Sequence, residues 1–227
     1  MSKPTSADRS LELTFHGAAG TMTGSCMEFA LGDERLLVDC GLFQGSRSLE
    51  ALNLEPFAFD PGRIRAVVLT HAHIDHCGLL PKLAAAGFAG PVWCTGPTAD
   101  LLEFMLADAG RIQEMDAERR NRRRDRAGER PFAPLYTEQD ALAAWRLCQP
   151  VDLDVWFEPA PGIRARLWNA GHVLGSASVE LEAAKVRTMA RATSDPSSRR
   201  FSTIRRDLPV SITWCPKART AAGCARS

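Results

Sequence analysis

The run His71-Ala72-His73-Ile74-Asp75-His76 places three imidazoles and a carboxylate within six residues. Neutral imidazole nitrogens and carboxylate oxygens are the usual donors to zinc-like ions. The chain has five histidines in all, so three of them at H-x-H-x-D-H is a concentration, not a scatter. Where a strand ends in a turn, alternate side chains can point to one side. His71 and His73 can then share one ion while Asp75 and His76 turn toward a second. A fourth histidine lies in Asn169-Ala170-Gly171-His172-Val173-Leu174-Gly175-Ser176-Ala177. Its small neighbours let the backbone come close to a site. Alone, His172 reads as a packed or surface histidine; beside the first cluster it reads as a further ligand. Asp39, two residues before Gly41, reads either as a turn former or as a carboxylate that orients a ligand histidine. His16 fits no ligand position and reads as a loop or surface histidine.

These residues need elements to hold them. Residues 11–15, 25–31 and 35–38 read as strands, the first two separated by the glycine-rich loop HGAAGTMTG. Residues 66–70 (AVVLT) form an apolar run of the length of a strand buried on both faces, and it stops at His71. A short helix is expected over 78–86 and a strand over 91–94. Residues 97–126 read as one long helix, with Leu101, Leu102, Met105, Leu106, Ile112 and Met115 as its apolar face. Its end, ERRNRRRDR, is interleaved with acids and reads as a solvated face. A second helix is expected over 138–148 with Thr137 as its N-cap and Asp140 at the third helical position. Strands are expected over 151–157, 163–168 and 177–182. This order suggests sheet layers with helices outside.

Composition narrows the class without choosing a function. Of 227 residues, 45% are hydrophobic and 24% charged, and the net charge is +1, so bulk charge does not announce a polyanion partner. Residues 1–10 read as a flexible N-terminus with no apolar run of the signal-peptide kind. No stretch reaches the ~18 apolar residues of a membrane helix. The expectation is a cytoplasmic protein with no membrane partner. The seven cysteines lack C-x-x-C spacing and are expected to be reduced, mostly buried thiols.

H-x-H-x-D-H with a downstream G-H-x-x-G-S-A resembles the metallo-β-lactamase superfamily. The accompanying DCGLFQG (39–45), GAAGTMTGSC (17–26) and PLYTEQDA (134–141) resemble, more narrowly, its β-CASP RNA-processing nucleases. The resemblance covers about residues 10–182. It implies an α/β fold, an αββα sandwich, present here as an incomplete N-terminal portion over 11–182. It also implies zinc, two ions in the intact family and one or two here: His71, His73 and His172 would hold the first, and Asp75 and His76 would contribute to the second. Asp75, His76 and Asp39 form the implied catalytic set, Asp39 by orienting a ligand histidine. A metal-activated hydroxide would then cleave an RNA phosphodiester. Protein partners are left open. Two other readings stand beside it: a hydrolase of the same fold acting on another ester, thioester or lactam, and a non-catalytic remnant.

The resemblance also implies an aspartate in an S-G-D-x-G-like turn bridging the two metals, followed by a cap domain and a last histidine. Asp195, in Thr-Ser-Asp-Pro, stands in the wrong context for that aspartate. Residues 183–227 form an arginine-rich tail that leaves the preceding β/α order, and only VSITW within it looks like a strand. Codons allowed for Ala190–Asp195, read in the shifted frame, permit Ser-Gly-Asp-Leu-Gly. Those for Trp214–Gly223, in the same frame, permit Val-Ser-Glu-Ser-Thr-Tyr-Gly-Gly-Arg. The expectation is an aberrant tail produced by a frameshift between about Glu182 and Thr188, with reduced or absent activity. Sequencing the locus tests it.

Overall fold

The computed structural model describes residues 10–18, 20–191, 201–203 and 210–214. Asp195 and most of the basic tail lie outside these residues.

Two β-sheets form the frame. The first has seven strands in the order β12-β1-β2-β3-β4-β5-β6. These are β1 (Leu11–Phe15), β2 (Met27–Leu31), β3 (Glu34–Val38), β4 (Ala66–Val68), β5 (Val92–Cys94), β6 (Cys148–Pro150) and β12 (Val210–Trp214). The second has five strands in the order β11-β10-β9-β8-β7, from β7 (Trp156–Ala160), β8 (Ile163–Asn169), β9 (Ala177–Ala183), β10 (Val186–Ala190) and β11 (Phe201–Thr203). The helices are α1 (Arg47–Ala51), α2 (Ile74–Cys77), α3 (Leu80–Ala85), α4 (Gly96–Arg126) and α5 (Glu138–Trp145).

Alternation along the strands sorts the side chains into two cores. In β4 and the residue after it, Ala66 and Val68 enter the core between the sheets, while Val67 and Leu69 enter the core between the first sheet and the helices. A strand buried on both faces has no polar position to offer, which is why this stretch reads as continuous apolar sequence. In β8 and β9 the pattern is one-sided. Ile163, Ala165, Leu167, Val179 and Leu181 face the other sheet. On the opposite face Arg166 lies over the rings of Trp156 and Trp168 and bonds Glu180 at 2.9 Å. The layers are therefore helix, sheet, sheet. Among the described residues no helix packs on that outer face, where the expected sandwich has its second helical layer.

Several expected boundaries shift. The strand expected over 151–157 starts only at Trp156, as β7, because residues 151–155 cross between the sheets, and β6 forms just before the expected range. The helix expected over 78–86 is α3, preceded by the separate turn α2, and α5 stops at Trp145. In α4, Leu102 and Leu106 are fully buried, but Ile112 and Met115 are more than half exposed. The apolar pattern runs on past the point where α5 and the first sheet still cover the helix. Within the tail, Val186–Ala190 also forms a strand, antiparallel to β9 through a tight turn at Ala184-Lys185. Val186, Thr188 and Ala190 alternate inward, a strand pattern set among the arginines of the tail. Val210–Trp214 is a strand as expected and pairs parallel with β1.

Candidate metal centre

The centre is assembled at one rim of the sandwich, where β3 and β4 end and the β8–β9 loop folds back. β4 delivers His71 directly. Residues 74–77 then close a single helical turn, α2, with Asp75 in it and His76 buried at its base. The β3 end locks onto this turn through backbone: the amide of Cys40 donates to the carbonyl of His76 (2.8 Å) and that of Leu42 to Ile74 (3.0 Å). Gly41 is needed for this contact. A Cβ there would sit 1.7 Å from the carbonyl oxygen of Asp75.

The His172 loop is held from three sides. The Ser176 hydroxyl accepts from the amides of His172 and Val173, both at 3.0 Å. The amide of Ala177 donates to the carbonyl of Thr70 (2.7 Å), tying the loop to β4. At the N-terminus of α4 the hydroxyls of Thr95 and Thr98 donate to the carbonyl of Gly175 (2.6 and 3.0 Å). Gly175 has φ +76°, and a Cβ on it would lie 2.7 Å from Thr98. Neither Thr95 nor Thr98 was singled out from sequence. An N-cap threonine explains itself locally, and its second bond spans 80 residues.

These constraints bring His71, His73 and His172 together. One ring nitrogen from each lies within 4.8 Å of the others. His73 Nδ1 and His172 Nε2 are 3.4 Å apart. Donors ~2.0–2.1 Å from a tetrahedral zinc are separated by roughly 3.3 Å, so the spacing suits one ion between them. His71 is buried and its Nε2 has no hydrogen-bond partner among the described residues. A buried, unpaired ring nitrogen is costly in an apolar setting and is what a metal ligand looks like before its ion arrives. Burial first, then the neighbouring His76, pushes the His71 imidazole down to about 3, so it is neutral at physiological pH. Burial and the nearby His73 also lower His172. The donor set fits zinc. His73 is exposed and His172 partly so, which leaves the centre open on one side.

Asp75 and His76 stand beside this cluster, with Asp75 Oδ2 3.6 Å from His76 Nε2. Asp39 is buried beneath it. Its Oδ2 takes the Nδ1 hydrogen of His76 at 2.7 Å and the Ser25 hydroxyl at 3.0 Å. Its Oδ1 takes the Thr70 amide at 2.9 Å and the Thr70 hydroxyl at 3.0 Å. Burial raises this carboxyl, but His76 and the Thr70 bonds outweigh it, and the net shift is downward. Asp39 has φ 63°, a left-handed conformation that aspartate tolerates better than most residues. Of the two sequence readings of Asp39, the geometry is that of an orienting carboxylate, and it orients His76 directly. Ser25 and Thr70, its other partners, were not assigned roles from sequence.

His16 is not a surface histidine. Its side chain is 9% exposed, and Nε2 meets Glu28 Oε2 at 2.7 Å. The arginine-rich end of α4 is largely exposed. Its ion pairs include Arg124–Glu129 at 3.1 Å and a loose Arg119–Asp116 contact at 3.9 Å. The described cysteines are free thiols, four of the five buried.

A sequence profile of the metallo-beta-lactamase superfamily matches residues 19–187. Ribonuclease TTHA0252 of Thermus thermophilus is 37% identical over 163 residues, which are 72% of this chain and 33% of that protein. Transcription termination factor FttA of Methanocaldococcus jannaschii is 33% identical over 171 residues, 75% of this chain and 25% of the factor. The chain thus spans a third or less of the length of these relatives. Among solved structures, a metallo-beta-lactamase from Cronobacter sakazakii superposes with a TM-score of 0.47 at 19% identity, covering 80% of this chain and 62% of that one. The metallo-beta-lactamase fold protein YhfI from Bacillus subtilis gives 0.46 at 17%, covering 77% and 58%.

Proposed function

The chain belongs to the metallo-β-lactamase superfamily, and on that premise we propose that it serves as a zinc-dependent hydrolase of the β-CASP kind, acting on RNA phosphodiester bonds. The observation that carries this reading is the meeting of His172 with His71 and His73, donors that lie about a hundred residues apart in sequence. His71, His73 and His172 would hold the first zinc, and Asp75 and His76 would contribute to a second. Bound zinc would supply Lewis acidity and a nucleophile available near neutral pH, by drawing the pKa of water toward ~7. Asp39 holds the ring of His76 in place, and Asp75 lies at the rim with its side chain 21% exposed, where it can meet a reacting group. Among the described residues only Asp75 and His76 flank the second position, so it should hold its ion more weakly than the first.

RNA as substrate is supported by the relatives, one called a ribonuclease and others called transcription termination factors. A groove of about 810 Å³ between α1 and α4 opens beside the metal loop at Ile74. It carries Arg47 and Arg120, the latter stacked on Phe132, but also Glu50 and Asp116, so its wall charge is balanced and the RNA reading rests on the relatives rather than on the groove. Two measurements test the reading. Zinc content near two per chain, with RNA cleavage abolished in His73→Ala, is the expected result. One zinc per chain without cleavage indicates a crippled centre. No zinc binding at all rejects the reading.

A further inference from the structure

We propose that Thr70 is a positioning residue whose single hydroxyl links Asp39 to His71, so that one buried carboxylate sets the tautomer of an imidazole on each side of the metal centre. The inference rests on the proposed function only for what the imidazoles bind; the wiring itself follows from a count of protons.

The carboxylate of Asp39 is a point of convergence. The backbone amide of Thr70 can only donate, and it meets Oδ1 at 2.9 Å. Oδ2 faces the Ser25 hydroxyl at 3.0 Å and His76 Nδ1 at 2.7 Å. An ionised carboxylate accepts and does not donate. The Thr70 hydroxyl lies 3.0 Å from Oδ1 and 3.1 Å from Oδ2, so its one proton is drawn to the charged acceptor. That leaves only lone pairs on Thr70 Oγ1. The same oxygen is 2.9 Å from His71 Nδ1. His71 must therefore carry its hydrogen on Nδ1 and donate it to Thr70, which makes Nε2 the lone-pair nitrogen.

Nε2 of His71 is the atom that is buried without a hydrogen-bond partner. The opposite tautomer carries two penalties. It places an N–H in that buried position facing two other imidazoles, and it turns the Thr70 proton away from Asp39. Asp39 holds His76 directly and, through Thr70, holds His71. The rings of these two histidines lie 4.1 Å apart, one assigned to each metal position. The carbonyl of Thr70 meanwhile accepts from Ala177 at the foot of the His172 loop, through backbone alone. Replacing the side chain thus removes the relay without cutting that tie.

The test compares the full chain with Thr70→Val, which keeps the side-chain shape but lacks the hydroxyl, and with Thr70→Ser, which restores it. In metal-free protein, ¹⁵N-detected imidazole spectra should show His71 with hydrogen on Nδ1. Thr70→Val should lose that preference while the His76 signal stays, and Thr70→Ser should regain it. Zinc affinity, read by competition with a chromophoric chelator, should fall roughly 10–100-fold in Thr70→Val, the cost typical of removing an orienting partner, and recover in Thr70→Ser. Finding His71 with hydrogen on Nε2 in the unaltered chain overturns the proposal, and that reading stands even if Thr70→Val fails to fold. Unchanged tautomer and affinity in Thr70→Val also overturn it. Because the spectra need neither zinc nor RNA, absence of RNA cleavage would count against the proposed function and leave this wiring intact.

Discussion

At the scale of single residues the frame depends on buried carboxylates whose oxygens all meet donors. Asp39 is the densest of these. Asp39→Asn keeps the shape and the tolerance for φ 63°, but puts an amide where several donors converge. We expect zinc affinity to fall about 10–100-fold with the helices and sheets retained, as measured by chelator competition and circular dichroism. Glu28 is the second such group. Burial pushes its carboxyl up, but His16 and Arg35, at 2.7 and 2.6 Å, draw it below its ordinary value of 4.5. A folded-state pKa below the unfolded one contributes stability that is complete above the unfolded value. That contribution disappears as pH falls through the folded value. Glu28→Gln should therefore cost on the order of 1–2 kcal/mol at pH 7. The difference from the parent should shrink toward zero below pH ~4, as read by urea denaturation at several pH values. A constant difference across that range would mean the ion pairs are not its source.

At the scale of elements, two turns decide how well the frame is held. The β9–β10 hairpin turns on Ala184 and Lys185, both with positive φ (48° and 65°). Two-residue turns of this hand favour Asn-Gly, since side chains with a Cβ are strained there. Replacing the pair by Asn-Gly should stabilise the chain by about 1 kcal/mol and raise Tm by roughly 2–4 °C, measured by thermal melting. The β3 end behaves in the opposite way. Gly41 sits against the backbone of Asp75, where no flexible side chain can give way. Gly41→Ala should displace α2, cost several kcal/mol (roughly 3 or more, as for severe overpacking) and reduce zinc binding. Preserved zinc affinity in a soluble Gly41→Ala chain would contradict the close approach.

At the scale of the whole molecule, the centre joins parts that are distant in the chain. The first sheet contributes His71, His73, Asp75, His76 and Asp39, and the β8–β9 loop of the second contributes His172. An ion held between them, as proposed, would clamp the two sheets together at the rim. Zinc at a hundred times its dissociation constant should then stabilise the fold by about 2.7 kcal/mol. Chelation should reverse this, and His172→Ala should remove most of it while leaving the metal-free melting temperature nearly unchanged. Equal stabilisation by zinc in His172→Ala would show that the sheets are not joined through the ion.

The sequence alone was enough for the superfamily, for singling out the histidines that the fold gathers and for most elements near them. H-x-H-x-D-H after a doubly buried strand is a local pattern, and so are the Thr137–Asp140 capping box and the one-sided alternation of β8 and β9. It did not reveal Ser25, Thr70, Thr95 or Thr98, because a hydroxyl residue is common everywhere and only its distant partner gives it a role. It placed His16 in a loop but did not reveal its burial, for the same reason, since Glu28 reaches it from a neighbouring strand. It also overextended the apolar face of α4, because helical periodicity records which way a side chain points and not whether anything lies there to cover it. Donor chemistry is written in short stretches of chain. Which ring nitrogen is left without a partner, and what holds the ring in place, is decided by contacts between residues that only folding brings within reach.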